Sequence, residues 1–70
     1  MIGILDSGVG GLSVMREIRA QLPEQSLTYI GDTAWCPYGN KDFCAIRNRT
    51  FALSDFLISK GAELIVVACN

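Results

Sequence analysis

Seventy residues, half of them hydrophobic and with a formal net charge of −1, make one small unit at most. A chain this short buries only about 60% of the surface its unfolded form exposes, so so apolar a composition fits a piece of a larger core better than a finished miniature one. Acids and bases are interspersed without a basic patch, which argues against nucleic acid or an acidic membrane surface as partner, and the longest apolar run falls far short of the ~20 residues of a membrane helix.

The opening MIGILDSG has no positive segment and no long apolar one, so no secretory signal is read and a cytoplasmic location is expected. Its apolar run, ending at Asp6, predicts a buried strand. SGVGG, residues 7–11, predicts a tight turn. Leu12, Met15, Ile18 and Leu22 then recur at helical spacing, with Arg16, Glu17, Arg19 and Gln21 between them, until Pro23 ends the helix. LTYI, residues 27–30, is β-rich and predicts a second strand. Gly31 opens a loop, GDTAWCPYGNK, dense in turn formers. Helical spacing returns from about Asp42 to Lys60, through Phe43, Ile46, Thr50 or Phe51, Leu53 and Leu57, and Gly61 is a fitting stop. ELIVVA, residues 63–68, is apolar and β-branched, the signature of a strand covered on both faces, and is expected to be central in its sheet.

The order β-α-β-α-β predicts an α/β fold: part of an open, parallel-sheet domain of the doubly wound kind, with right-handed crossovers. Ligands of such sheets bind beyond the carboxyl ends of the strands. Those ends carry Asp6 and Ser7, the loop from Asp32 to Gly39, and Cys69 with Asn70.

Each feature has a plain reading beside a chemical one. The glycines of DSGVGG serve either as a turn, supplying positive φ and close packing, or as an anion or carboxylate site at a helix N-terminus, or as a dinucleotide loop. The last fits loosely, because Ser13 stands where a third glycine or alanine belongs and no P-loop lysine is present. Asp6 can cap the following helix, hold an ammonium group, orient a proton-transfer partner, or accept a phosphoryl group. Cys69 is either a small buried hydrophobe or a base or nucleophile whose environment lowers its pKa from about 8.5. Tyr38 and Gly39 form either a mere turn or a ligand loop. Three cysteines and no histidine, with no C-x-x-C pair, argue against a disulfide framework or a zinc site, and Cys36 and Cys44 are read as incidental.

GILDSGVGGLSV, YIGDTAWCPYGNK and VVACN, in this order and spacing, resemble the three N-terminal signatures of the glutamate racemase family, within the aspartate/glutamate racemase superfamily, and the likeness runs over essentially the whole chain. The resemblance implies that residues 1–70 are the N-terminal part of the first of two similar α/β domains with the active site between them. It implies a cofactor-independent enzyme, with no metal, that interconverts L- and D-glutamate and so feeds peptidoglycan synthesis. In that family one cysteine from each half faces the substrate Cα; one thiolate removes the α-proton and the other thiol returns a proton to the opposite face. Cys69 matches the first of these, and Asp6 matches the carboxylate that assists it. Asp6 with Ser7, Tyr38 with Gly39, and Asn70 match substrate contacts. A homodimer is open for the full-length enzyme. The second cysteine has no counterpart here, so a fragment is expected: inactive alone, and prone to aggregate through its last strand. The rival reading is a non-catalytic or nucleotide-binding α/β module with a glycine-rich anion loop.

Overall fold

The computed structural model describes residues 1–35 and 37–68. Three strands, β1 (Ile2–Asp6), β2 (Leu27–Gly31) and β3 (Leu64–Val67), alternate with two helices, α1 (Leu12–Gln21) and α2 (Phe43–Ser59). Between β2 and α2, the loop winds into two single 3-10 turns, Thr33–Trp35 and Tyr38–Asn40. The sheet is all parallel in the order β2-β1-β3, with Ile4 paired to Tyr29 on one side and to Val66 on the other. The expected α/β class, element order and parallel sheet are therefore all present.

The chain first steps from β1 to β2 and then crosses back over β1 to reach β3. The two helices lie on opposite faces of the sheet: Gly3 of β1 meets Leu57 of α2, whereas Asp6, on the other face, meets Gly11 at the start of α1. On the α2 side, Leu5, Leu57 and Ala62 form the core, with Met1, Ile30, Leu53 and Ile65 packed against it. A Cβ on Gly3 would meet Leu57 at 3.0 Å, so this glycine lets the helix lie close to the sheet. Side chains alternate along a strand, so Ile2, Ile4 and Asp6 face the opposite way.

The helix ends follow their sequence signals. Helix α1 closes at Gln21, before Pro23, and Gly61 after α2 takes φ +103°, the left-handed conformation of a helix stop.

Three expectations change. First, β3 is not central among the described residues: all five residues of β1 are buried, whereas Leu64 and Val67 of β3 are exposed, as expected of a last strand without its neighbours. The strand paired on both sides is thus β1, and β3 lies at an edge of the sheet among the described residues. An apolar run announces a strand that some structure covers, but pairing decides which strand sits at the centre. Second, α1 buries no residue; Leu12 and Leu22 of its expected apolar face are exposed. Third, Gly61 is the sole positive-φ residue among those described, so the glycines of the SGVGG turn do not supply positive φ.

Candidate active site

Beyond the carboxyl ends of β1 and β3 opens a cleft of ≈ 440 Å³, lined by Asp6, Ser7, Gly8, Gly10, Gly11, Val14 and Ala68. Its place follows from topology. Open parallel sheets bind their ligands beyond the carboxyl ends of the strands, and the cleft sits there, between the turn after β1 and Ala68 at the end of β3.

Asp6 is 3% exposed, yet its carboxylate is fully engaged. Oδ2 accepts the Gly11 N–H at 2.6 Å and the Tyr29 hydroxyl at 2.6 Å. Oδ1 accepts the Gly8 N–H at 3.2 Å. Burial pushes this carboxyl up, but the Tyr29 hydroxyl and the N–H groups of Gly11, Gly8 and Ser7 outweigh it and hold the pKa below 3.8. Asp6 is an anion at neutral pH. Of the turn's glycines, Gly11 matters through space rather than φ. A Cβ on Gly11 would stand 2.7 Å from Asp6 Oδ2 and 2.8 Å from the Ala68 Cβ, closer than such atoms approach.

The helix-capping reading of Asp6 is not realised: Gly11 is the N-cap of α1 and no side chain caps the helix, and Asp6 instead holds the N–H of Gly11 itself. A phosphate brought to this turn would meet that negative charge and find two of the N–H groups already occupied. An ammonium group would meet the opposite, favourable sign.

A second buried carboxylate, Asp32, closes the other side of β1–β2. Its backbone N–H donates to the Asp6 carbonyl at 2.8 Å, extending the parallel ladder by one step. Arg49 of α2 grips its carboxylate from two nitrogens, Nε at 2.8 Å and Nη2 at 2.7 Å, and the Tyr38 hydroxyl donates to Oδ2 at 2.7 Å. The Arg49 hydrogen bonds outweigh burial, and with Tyr38 they hold the Asp32 carboxyl below its ordinary value. Trp35 meets Tyr38 edge-on at 5.0 Å between ring centres, with the Arg49 guanidinium 5.7 Å and the Lys41 ammonium 5.1 Å from the Trp35 ring.

Of the residues singled out from sequence, Asp6 and Ser7 meet in the cleft. Tyr38 and Gly39 are not among its lining; the Tyr38 hydroxyl turns to Asp32, and nothing stands within 4 Å of a Cβ placed on Gly39. Cys69, Asn70 and Cys36 lie outside the described residues; Ala68, which precedes Cys69 in the sequence, lines the cleft. Cys44 is exposed on α2. Among the described residues no cluster of three or more His, Cys, Asp or Glu side chains is arranged to hold a metal ion, and no helix is long and apolar enough to cross a membrane.

Two residues escaped the sequence reading. Tyr29 passes for an ordinary strand residue, and Arg49 for the polar face of a helix. The available signal was the parity of the strands: paired with Ile4, Tyr29 shares a face with Asp6 two residues further on.

No protein-family model matches the chain. It is 55% identical over 69 residues to the glutamate racemase of Pseudomonas paraeruginosa, covering 99% of this chain and 26% of that protein. Against the glutamate racemase of Exiguobacterium sibiricum the identity is 54%, with the same coverage. Among solved structures, the glutamate racemase of Thermus thermophilus, in complex with β-chloro-D-alanine, superposes with a TM-score of 0.91 at 46% identity over 97% of this chain and 27% of that one. A glutamate racemase isoform of Bacillus anthracis gives 0.90 at 46% identity over 99% and 26%. The chain spans about a quarter of the length of the relatives it matches.

Proposed function

Because the chain belongs to the glutamate racemase family, we propose that it forms the N-terminal part of the first of two α/β domains in a cofactor-independent glutamate racemase, and that the cleft at Asp6 is its share of the active site. The carrying observation is the buried, ionised Asp6 at the head of a cleft between two parallel strand ends, in a chain 55% identical to a glutamate racemase.

The α-proton of an amino acid is very weakly acidic, so its removal needs a positioned base and fixed charges around the developing carbanion. In this reading Cys69 as thiolate takes the α-proton, and a second thiol from outside these residues returns one to the far face. Asp6 assists Cys69, and with Ser7, Tyr38, Gly39 and Asn70 it contacts the substrate. An anionic Asp6 suits an ammonium group, which supports an amino acid over a nucleotide. The binding of β-chloro-D-alanine by the Thermus thermophilus relative also supports a small amino-acid substrate. The product D-glutamate would serve peptidoglycan synthesis, and the enzyme would work in the cytoplasm, as monomer or homodimer.

The test uses the longer protein. Racemisation of L- and D-glutamate, with exchange of the α-proton for deuterium, is expected, and Cys69→Ala is expected to abolish it in both directions. Survival of both directions in that variant would remove Cys69 from the mechanism. The chain of residues 1–70 alone is expected to be inactive.

A further inference from the structure

We propose that Tyr29 is the residue that orients the Asp6 carboxylate in the cleft, so that the reaction depends on a tyrosine hydroxyl that does not itself line the cleft. The inference rests on the reading of Asp6 as part of the active site.

The geometry is specific. Tyr29 and Asp6 lie on one face of the sheet, on neighbouring parallel strands, with Tyr29 paired to Ile4. The Tyr29 hydroxyl lies 2.6 Å from Asp6 Oδ2 and 3.2 Å from the Gly8 carbonyl oxygen, so one phenol reaches both the carboxylate and the turn that carries Ser7. With the Gly11 N–H, Tyr29 fills Oδ2, leaving Oδ1 as the oxygen more loosely held, by Gly8 at 3.2 Å. The backbone leaves room for this phenol and for nothing more: a Cβ on Gly31 would stand 2.7 Å from the Gly8 carbonyl and 3.2 Å from a Tyr29 ring carbon.

The energetics run the same way. Short hydrogen bonds to an ionised acceptor are among the stronger ones in proteins. Burial alone would favour a neutral Asp6, and Tyr29 is first among the groups that oppose it. In return, burial and the neighbouring carboxylate push the Tyr29 phenol up to about 12, so it remains a donor throughout the working range. Among the described residues facing Asp6, β2 contributes Tyr29, the turn contributes the N–H groups of Ser7, Gly8 and Gly11, and the end of β3 contributes the uncharged Ala68. Tyr29 is the one titratable side chain among them.

Tyr29→Phe deletes the hydroxyl and little else. In the longer protein, the Asp6 carboxyl is titrated by carbon-13 NMR, with Asp6→Asn to assign its signal. The expected result is a rise of its midpoint by about one pH unit or more, the scale on which one charge-assisted hydrogen bond acts. The acid limb of kcat/KM is expected to move up by the same amount, and kcat to fall more than KM rises. An unchanged midpoint in a folded variant overturns the proposal. Should the variant not fold, 3-fluorotyrosine at position 29, a stronger donor of nearly the same shape, is expected to lower the midpoint; no movement there also overturns it. A wild-type protein without racemase activity but with a Tyr29-dependent Asp6 titration would sink the proposed function alone.

Discussion

Two buried carboxylates, Asp6 and Asp32, are kept ionised by different means. Asp6 relies on a phenol and backbone N–H groups, whereas Asp32 relies on a guanidinium. Both carboxyls titrate below their ordinary value in the folded chain and return to it when unfolded. Their contribution to stability is therefore full above the unfolded value and lost as the pH falls through the lower folded values. Thermal unfolding of the longer protein is expected to show Tm falling below about pH 4, with a shallower fall in Asp32→Asn. The Asp32–Arg49 pair is asymmetric, because the Arg49 side chain is 38% exposed and that of Asp32 only 5%. Arg49→Met strands a buried anion and is expected to destabilise the fold more than Asp32→Asn does. Asp32→Asn leaves a cation that water can reach and is expected to cost about 1–2 kcal/mol. Equal losses for the two variants in denaturant unfolding would count against this account.

At the scale of elements, α2 is held to β1 by a few contacts with little slack. Leu57 is fully buried between Leu5 and Ala62, and Leu57→Ala is expected to cost about 2–5 kcal/mol as the cavity opens. Gly3→Ala should overpack the same seam by about 1–3 kcal/mol, because the nearest atoms belong to Leu57 and Ile65. In the turn the glycines divide. Gly11→Ala must push aside the Asp6 carboxylate or Ala68 and is expected to cut activity strongly, while Gly10→Ala meets nothing within 4 Å and is expected to leave Tm within about 2 °C. Activity and melting temperature of the pair decide whether the turn works through close approach. The same turn illustrates the limit of motif reading, since its glycine spacing suggested positive φ, and the structure uses the missing Cβ instead.

For the molecule as a whole, the sheet is finished at its centre and bare at its rim. Strand β1 is covered on every side, while Leu64 and Val67 of β3, Leu12 of α1 and Leu22 just after it, and Phe43, Phe51 and Phe56 of α2 stand exposed, Phe43 at 76%. The isolated polypeptide of residues 1–70 is expected to bind a hydrophobic dye and to self-associate. A clean monomer by size exclusion at micromolar concentration would refute that expectation.

The elements were legible because each is written in local chemistry: the period of the apolar residues, Pro23 after α1 and Gly61 after α2. Asp6 and Ser7 were legible as site residues because an open parallel sheet gathers its ligands beyond the carboxyl ends of its strands. What only the tertiary structure decided is non-local. Among the described residues, strand pairing put β1 between β2 and β3, because an apolar run records burial but not neighbours. Parallel register set Tyr29 against Asp6, and the crossover of α2 brought Arg49 to Asp32. Each partner sits 17 or more residues away, at a distance that no local pattern spans.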